Sequence, residues 1–314
     1  MNRREGILCY VVAVCVLMGA LIVKAAESRD GNWTIQRAEK TGEVELALME
    51  RHHGGNSNHD TNVRASQLKG LDLSKSGKQD AHFTIMRDAG RFECEGYIKD
   101  GEGAGVFHFF AEPGYAQEMK ALGFADIDSD KQFSMALMDV SAVFAKQMKA
   151  ERLDGLDTEK LIAFRIFNVN PEFVEALRKE GLAAKDSDKL VAFRIHGVSP
   201  EMVRALRQSG YSPSEDALVA MRIHGATPEW IEQLKKDGYD KVDLDELIAF
   251  RIHGVSPEFI EKMQSLGYRH PEPEQLVAMR IHGVTPEFVS NLRARGMKDL
   301  TIDQLVNLRI HGID

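Results

Sequence analysis

From about residue 111 onward the chain repeats itself. The phrase Leu190-Val-Ala-Phe-Arg-Ile-His-Gly-Val-Ser-Pro-Glu-Met202 returns as Leu218-Val-Ala-Met-Arg-Ile-His-Gly-Ala-Thr-Pro-Glu-Trp230. It returns again as Leu247-Ile-Ala-Phe-Arg-Ile-His-Gly-Val-Ser-Pro-Glu-Phe259 and as Leu276-Val-Ala-Met-Arg-Ile-His-Gly-Val-Thr-Pro-Glu-Phe288. A degenerate copy, Leu161-Ile-Ala-Phe-Arg-Ile-Phe-Asn-Val-Asn-Pro-Glu-Phe173, precedes these, and Leu305-Val-Asn-Leu-Arg-Ile-His-Gly312 is the last. Tyr115 and Phe144 hold the place of Phe173 in two fainter copies. A fixed period of about 29 residues marks a repeat architecture, in which each unit is too small to bury its own apolar face and must stack on its neighbours.

The punctuation inside each unit predicts two short helices, A and B. Asp157, Asp186, Ser214, Asp243 and Thr301 stand four residues before the leading Leu, as N-caps whose side-chain oxygen accepts from first-turn amides. Glu272 lacks that chemistry, but Pro273 follows at a suitable first helical position. Leu190, Val191 and Phe193 then give helix A an apolar side. Gly197, Gly225, Gly254 and Gly283 end it, because glycine reaches the left-handed conformation without steric cost. Ser199-Pro200-Glu201 opens helix B with a cap, a proline at the first position and an acid at the positive end of the dipole. Met202, Val203 and Leu206 form its apolar face, and Gly210-Tyr211 closes it, the ring expected back over the last turn. The degenerate early copies and the final half-unit are expected to cap the stack.

Two polar rows recur with the unit. His196, His224, His253, His282 and His311 sit at the end of helix A. Neighbouring units would hold them roughly 10 Å apart, too far to share a zinc ion whose ligands lie about 2 Å away. They are expected to cap the free carbonyls at their own helix ends. Arg165, Arg194, Arg222, Arg251, Arg280 and Arg309 border the core face. They are expected to pair with Glu172, Glu201, Glu229, Glu258 and Glu287 of the Pro-Glu steps. Periodicity accounts for both rows structurally, so a specific site is sought where units disagree: Trp230, Lys235, Lys236 and Arg269 are the candidate partner contacts.

Residues 27–110 read differently. Val44 to Leu48, Phe83 to Ile85 and Phe92 to Glu95 alternate with period two, which puts Phe83, Ile85, Phe92 and Cys94 on buried faces. Arg87-Asp88-Ala89-Gly90 predicts a hairpin turn, Lys99 to Gly103 the next turn, and Val106 to Phe110 a third strand. His52 to Asn62, rich in His, Asn, Gly and Ser, reads as a mobile loop. His52, His53 and His59 within it form no recognisable ligand set. The β-rich part is expected to cover the N-terminal end of the stack.

Residues 1–26 carry an address. Arg3 and Arg4 precede an apolar run from Ile7 to Val23, which reads either as a secretory signal cleaved near Val23-Lys24-Ala25 or as a membrane anchor. Either way the remainder lies outside the cytoplasm, periplasmic in a bacterium. The fold class is therefore α+β: an N-terminal signal or transmembrane helix, a small antiparallel β-rich domain over 27–110, and an α-helical solenoid over 111–314. Cys9 and Cys15 fall in the apolar run and leave Cys94 alone, which excludes a disulfide framework. A net charge of −8 argues against a nucleic-acid partner, as does a Ser or Thr where helix-hairpin-helix DNA-binding loops have their second Gly. Gly-x-Ser-x-Gly, His-Glu-x-x-His, the phosphate loop and the dinucleotide fingerprint are all missing.

The unit Leu-Ile-Ala-Phe-Arg-Ile-His-Gly-Val-Ser-Pro-Glu-Phe, with Gly-Tyr about ten residues on, resembles repeats of bacterial envelope proteins. These occur as accessory regions in relatives of the β-lactam-sensing antirepressor metalloproteases. Phe83 to Phe109, with Arg-Asp-Ala-Gly and Gly-Glu-Gly-Ala-Gly, resembles the segment preceding such repeats there. The protease motif and its several membrane spans are absent, so no catalytic residue carries over. The resemblance implies an extracytoplasmic accessory or sensor-type module. The expectation is a non-enzymatic scaffold for a protein or peptide partner, without cofactor or metal, tied to the membrane through its N-terminal segment. The alternatives are an envelope sensor with a small ligand at the junction of the β-rich part and the repeats, and a hydrolase built on the His, Arg and Glu rows.

Overall fold

A computed structural model describes residues 29–38, 42–52, 55–73 and 76–313; the side chains of residues 50–61 are outside that description. The expected signal or anchor over residues 1–26 lies outside the described residues. Among the described residues no helix is long and apolar enough to cross a membrane.

The fold is α+β. Seven strands come first: β1 (Arg29–Arg37), β2 (Glu43–His52), β3 (Gly55–Arg64), β4 (Leu68–Lys69), β5 (Lys78–Arg87), β6 (Gly90–Lys99) and β7 (Glu102–Ala111). All pairings are antiparallel, and the sheet order is β3-β2-β1-β7-β6-β5-β4. The two ends of that order are consecutive in sequence. β3 and β4 are joined by one 3-10 turn, Ala65–Gln67. In a flat sheet they would stand about 29 Å apart, at ~4.8 Å per strand, farther than a three-residue link can span. The sheet is therefore rolled up. The run from Gly55 to Lys69 acts as one bent strand that pairs first with β2 and then with β5.

The interior agrees with this closure. Trp33 on β1 meets Phe83 on β5 with ring centroids 5.0 Å apart, although β7 and β6 lie between them in the sheet. The indole lies across Gly105 and Gly96, and its Nε1 donates to the Glu95 carbonyl at 3.2 Å. Phe83, Ile85, Phe92 and Cys94 are buried as the alternation predicted, beside Leu46, Val63 and Leu68. The Arg87–Gly90 hairpin forms in the expected register, and Asp100-Gly101 turns β6 into β7 with both φ angles positive, as a two-residue hairpin loop requires.

One expectation fails. Residues 52–62 are not a loop: β2 runs to His52 and β3 starts at Gly55, paired along its length from Gly55↔His52 to Arg64↔Glu43. Residues 53 and 54, and the side chains of His52, His53 and His59, lie outside the described residues.

The helices begin with α1 (Tyr115–Ala121), a B helix standing alone. Six A–B pairs follow: α2 (Ser129–Leu137) with α3 (Ala142–Ala150), α4 (Thr158–Ile166) with α5 (Pro171–Lys179), and α6 (Ser187–His196) with α7 (Pro200–Gln208). Next come α8 (Glu215–His224) with α9 (Pro228–Lys236), α10 (Leu244–His253) with α11 (Pro257–Ser265), and α12 (Pro273–Ile281) with α13 (Pro286–Ala294). The A helix α14 (Ile302–Ile310) is the last. A helices pack on A helices and B helices on B helices, in two layers. Asp157, Asp186, Ser214, Asp243 and Thr301 each cap their helix through the side chain, as do Ser199, Thr227, Ser256 and Thr285 at the B helices. At Glu272 the Gln275 side chain accepts from the cap N–H instead. Leu190 and Phe193 are buried, but Val191 is only half-buried and belongs to the outer face of its helix.

The barrel covers the start of the array. Phe133 of α2 packs on Phe92, Phe107 and Phe109, with centroids 5.0 to 6.3 Å away. Gln132 donates to the Ala89 and Glu112 carbonyls, both at 2.8 Å, and Asp88 accepts from the N-terminal amide of α3 at 3.1 Å. The hairpin turn read from sequence is thus the docking point.

Candidate interaction surface of the helical run

What the periodic side chains do decides which surface is left for anything else. Each arginine of helix A reaches back to the preceding unit. Arg222 Nε donates to the His196 carbonyl at 2.9 Å, Arg251 to His224 at 3.2 Å, Arg280 to His253 at 3.3 Å and Arg309 to His282 at 3.4 Å. Arg194 donates to the Asn168 carbonyl at 2.6 Å, and Arg165 to Met138 at 2.9 Å. The last carbonyls of an α-helix have no partner within it, and the guanidinium supplies both the hydrogen bond and the charge that the negative helix end favours. Except at Arg222, where Met202 takes the place of a ring, the same guanidinium lies over the first aromatic ring of the preceding B helix. Arg194 stands 3.8 Å from the Phe173 centroid; Arg251 on Trp230, Arg280 on Phe259 and Arg309 on Phe288 stand at 5.0 to 5.2 Å.

Two sequence expectations are thereby corrected. Among the described residues, Arg194, Arg222, Arg251 and Arg280 form no ion pair within 4 Å with the Pro-Glu carboxylates: Arg194, Arg251 and Arg280 are held between helix end and ring, and Arg222, held by the His196 carbonyl, only adds a coulombic pull on Glu229. The glutamates serve their own helix starts. Glu201 and Glu229 are held below the usual carboxylate range first by their own backbone N–H and then by the hydroxyls of Ser199 and Thr227; Glu258 is held there first by Ser256. Among the described residues the periodic histidines make no helix-end hydrogen bond through their rings either. Their carbonyls are taken by the next unit's arginine, while His224 and His282 are exposed and His196 and His253 half-buried.

The B layer has its own ladder. Arg178 donates to the Glu151 carbonyl at 2.8 Å and its carboxylate at 2.5 Å, Arg207 to the Gly181 carbonyl at 3.3 Å, Lys235 to Ser209 at 2.9 Å and Arg293 to Leu266 at 2.5 Å. A third ladder uses the Gly-Tyr step. Tyr211 donates its hydroxyl to the Val242 carbonyl at 3.1 Å, Tyr239 to Pro271 at 2.9 Å and Tyr268 to Leu300 at 2.9 Å. Each acceptor is the residue that closes the next unit, just before the cap of the helix A after that: Val242 before α10, Pro271 before α12 and Leu300 before α14. The tyrosines bridge units rather than only folding over their own helices. Burial of the Tyr239 ring pushes its hydroxyl up to about 12.

The four candidate contacts divide. Trp230 is only 8% exposed and fills the core position that Phe259 fills in the next unit. Lys235 is 19% exposed and held by Ser209, by Glu232 at 3.0 Å and by the Tyr211 ring. Both are spent inside the array; the Trp-for-Phe difference is a repacking of the core. Lys236 and Arg269 are exposed. At the junction suggested for a small ligand, Phe133 packs against Phe92 and Phe109 of the barrel. Cys94 is buried and its thiol is pushed up to about 12 by desolvation, which suits a core position rather than a nucleophile. Among the described residues no group of three or more His, Cys, Asp or Glu side chains could hold a metal ion.

Sequence reasoning passed over one row that the structure brings out. Ile166, Ile195, Ile223, Ile252, Ile281 and Ile310, the residue between the Arg and the His, or Phe167, of each unit, are 51–55% exposed. Such large apolar side chains are each unremarkable on a protein surface, but a row repeated from unit to unit makes a candidate contact site. Val191 and Ala192, one turn before Ile195, share its face and are half-buried, and the same holds for Val219 and Ala220 before Ile223. The signal was in the repeat itself: an isoleucine in every helix A from α4 onward, at a position facing away from the buried Leu and Phe.

No family model matches this chain, and no curated protein matches it.

Proposed function

We propose that the chain is a non-catalytic scaffold that holds a protein or peptide partner on the outer face of a helical solenoid. The reading that it works outside the cytoplasm, periplasmic and delivered or anchored by residues 7–23, rests on the basic-then-apolar N-terminus and on the resemblance to envelope repeat proteins. One observation carries the binding role. The arginine row of the unit is used up in joining neighbours and the Pro-Glu acids serve their own helix starts, while an isoleucine is left half-exposed in each helix A from α4 onward. Stacked units offer an extended surface of this kind, to which a partner adds contacts unit by unit. Surface that a repeat keeps apolar against water's preference is surface with a use.

The test is site-specific photo-crosslinking of the full chain in its own envelope. A crosslinking residue is placed at Ile252 on the A face and, separately, at exposed Glu261 on the B face. A defined protein adduct at either position is expected. Absence of any adduct at both positions would overturn the scaffold reading.

A further inference from the structure

The A face has an electrostatic edge as well as an apolar row. Two residues before each leading Leu stands an exposed acid, which lies on the Ile side of its helix seven residues before the isoleucine. In the earlier units this acid is neutralised from the unit before: Lys131 pairs with Glu159 at 3.7 Å, Lys160 with Asp188 and Lys189 with Asp216. The lysine position then becomes Ala217, Glu246 and Gln275. Asp245, Glu274 and Asp303 therefore receive no such cation, and the edge of the last three units is left acidic beside Ile252, Ile281 and Ile310.

Spacing selects the shape of what fits. Packed neighbouring helices lie about 8–10 Å apart, so the isoleucines recur at about that interval. A helix laid across the units presents the same side every seven residues, a rise of about 10.5 Å. A β-strand presents one face every ~6.8 Å and falls out of step within two units. Deepening the scaffold reading, and resting on it, we propose that the isoleucine row receives an amphipathic α-helix of a protein partner. That helix is apolar at heptad spacing and carries lysine or arginine along the edge that meets Asp245, Glu274 and Asp303. Helix-in-groove recognition of this kind reads periodic apolar anchors, with charge fixing register and direction. The acidic edge disfavours an anionic membrane surface as occupant.

The experiment titrates the full chain against a labelled synthetic peptide of four heptads, about 42 Å of helix, with Leu at heptad spacing and Lys on one flank. A scrambled peptide of the same composition is the control. The heptad peptide should bind about tenfold or more tighter than the scrambled one, and the combined change Ile223→Gln, Ile252→Gln and Ile281→Gln should remove that advantage. The combined change Asp245→Asn, Glu274→Gln and Asp303→Asn should weaken binding about threefold and flatten its dependence on salt. Unchanged circular dichroism in both variants keeps loss of fold apart from loss of binding. Equal binding of both peptides, or binding untouched by the isoleucine changes, overturns the proposal. So does binding to phosphatidylcholine vesicles, or self-association, that the isoleucine changes abolish, since a membrane or a second copy would then be the occupant. Adducts at Glu261 but none at Ile252 would leave the scaffold reading standing and remove this one.

Discussion

Arg222 and Arg251 occupy the same position in consecutive units, yet their surroundings differ by one ring. Arg251 lies over Trp230; the corresponding residue before Arg222 is Met202. Both donate to a helix-end carbonyl. Each is exposed, so the hydrogen bond and dipole contact are discounted to roughly 0.5–1 kcal/mol, and the stacked ring adds about 0.5–1 kcal/mol. Arg251→Ala should therefore lower stability by about 1–2 kcal/mol in urea unfolding, and Arg222→Ala by about half of that. Arg194→Ala should exceed Arg222→Ala, its guanidinium lying closest to its ring at 3.8 Å, while desolvation of the charge and an unpartnered Nε offset part of that gain. A double-mutant cycle of Arg251→Ala with Trp230→Leu that shows no coupling would remove the stacking contribution. The arginine row itself was plain in the sequence, but its partner was not. Side chains with opposite charge are visible in a sequence and suggested the Pro-Glu acids; a backbone carbonyl of the neighbouring unit carries no letter.

At the scale of the element, the helices were almost wholly legible, and the reason is their ends. Cap residue, proline at the first turn and glycine after the last are local chemistry, and each sits where the pattern placed it. The glycines differ, however, in what surrounds them. Gly225 ends α8 at φ 73°, and a Cβ there would come 2.8 Å from the Arg251 guanidinium. Gly210 has φ 92° and open space around it. Gly210→Ala should cost about 1 kcal/mol, from the left-handed backbone alone. Gly225→Ala should cost more, because it also displaces the inter-unit arginine, and the excess should vanish when Arg251→Ala is already present. Thermal unfolding of the four proteins measures this. The barrel was less legible. β3 has a composition that strands ordinarily avoid, and a ten-residue pairing with β2 overrides it. Trp33 belongs to a strand given no place in the sequence reading, although the Gly-rich stretch opposite it is what lets the indole lie flat. Gly105→Ala should destabilise the barrel by several kcal/mol, since the added carbon would fall 2.0 Å from the Glu95 carbonyl and 2.6 Å from the indole nitrogen. Loss of the buried tryptophan's blue-shifted emission would register it.

On the scale of the molecule, the array is held by contacts that each join one unit to the next, so its cohesion depends on ladders whose rungs titrate. The tyrosine rungs need their protons, because a phenolate cannot donate to the carbonyl of the following unit. Burial raises Tyr211 above the ordinary tyrosine range and Tyr239 to about 12. A group whose folded value is raised contributes its full stability below its unfolded value, about 10 for tyrosine. That contribution is lost as pH climbs through the folded value. Urea midpoints of the array should accordingly hold steady up to about pH 9 and fall between roughly pH 10 and 12. Cys94, also raised to about 12, has the same sign but starts nearer 8.5 and acts in the barrel. Cys94→Ala should therefore remove a separate, earlier fall in the barrel above roughly pH 8.5, and Tyr239→Phe should lower stability at pH 8 while shrinking the array's fall above about pH 10. Far-ultraviolet dichroism follows the helices and tryptophan emission samples Trp33 in the barrel together with Trp230 in the array, so the two halves can be read against each other. A midpoint unchanged from pH 8 to pH 11.5 would mean that the tyrosine hydroxyls add nothing to the joining of units, and would leave the arginine rungs and the apolar core to account for it.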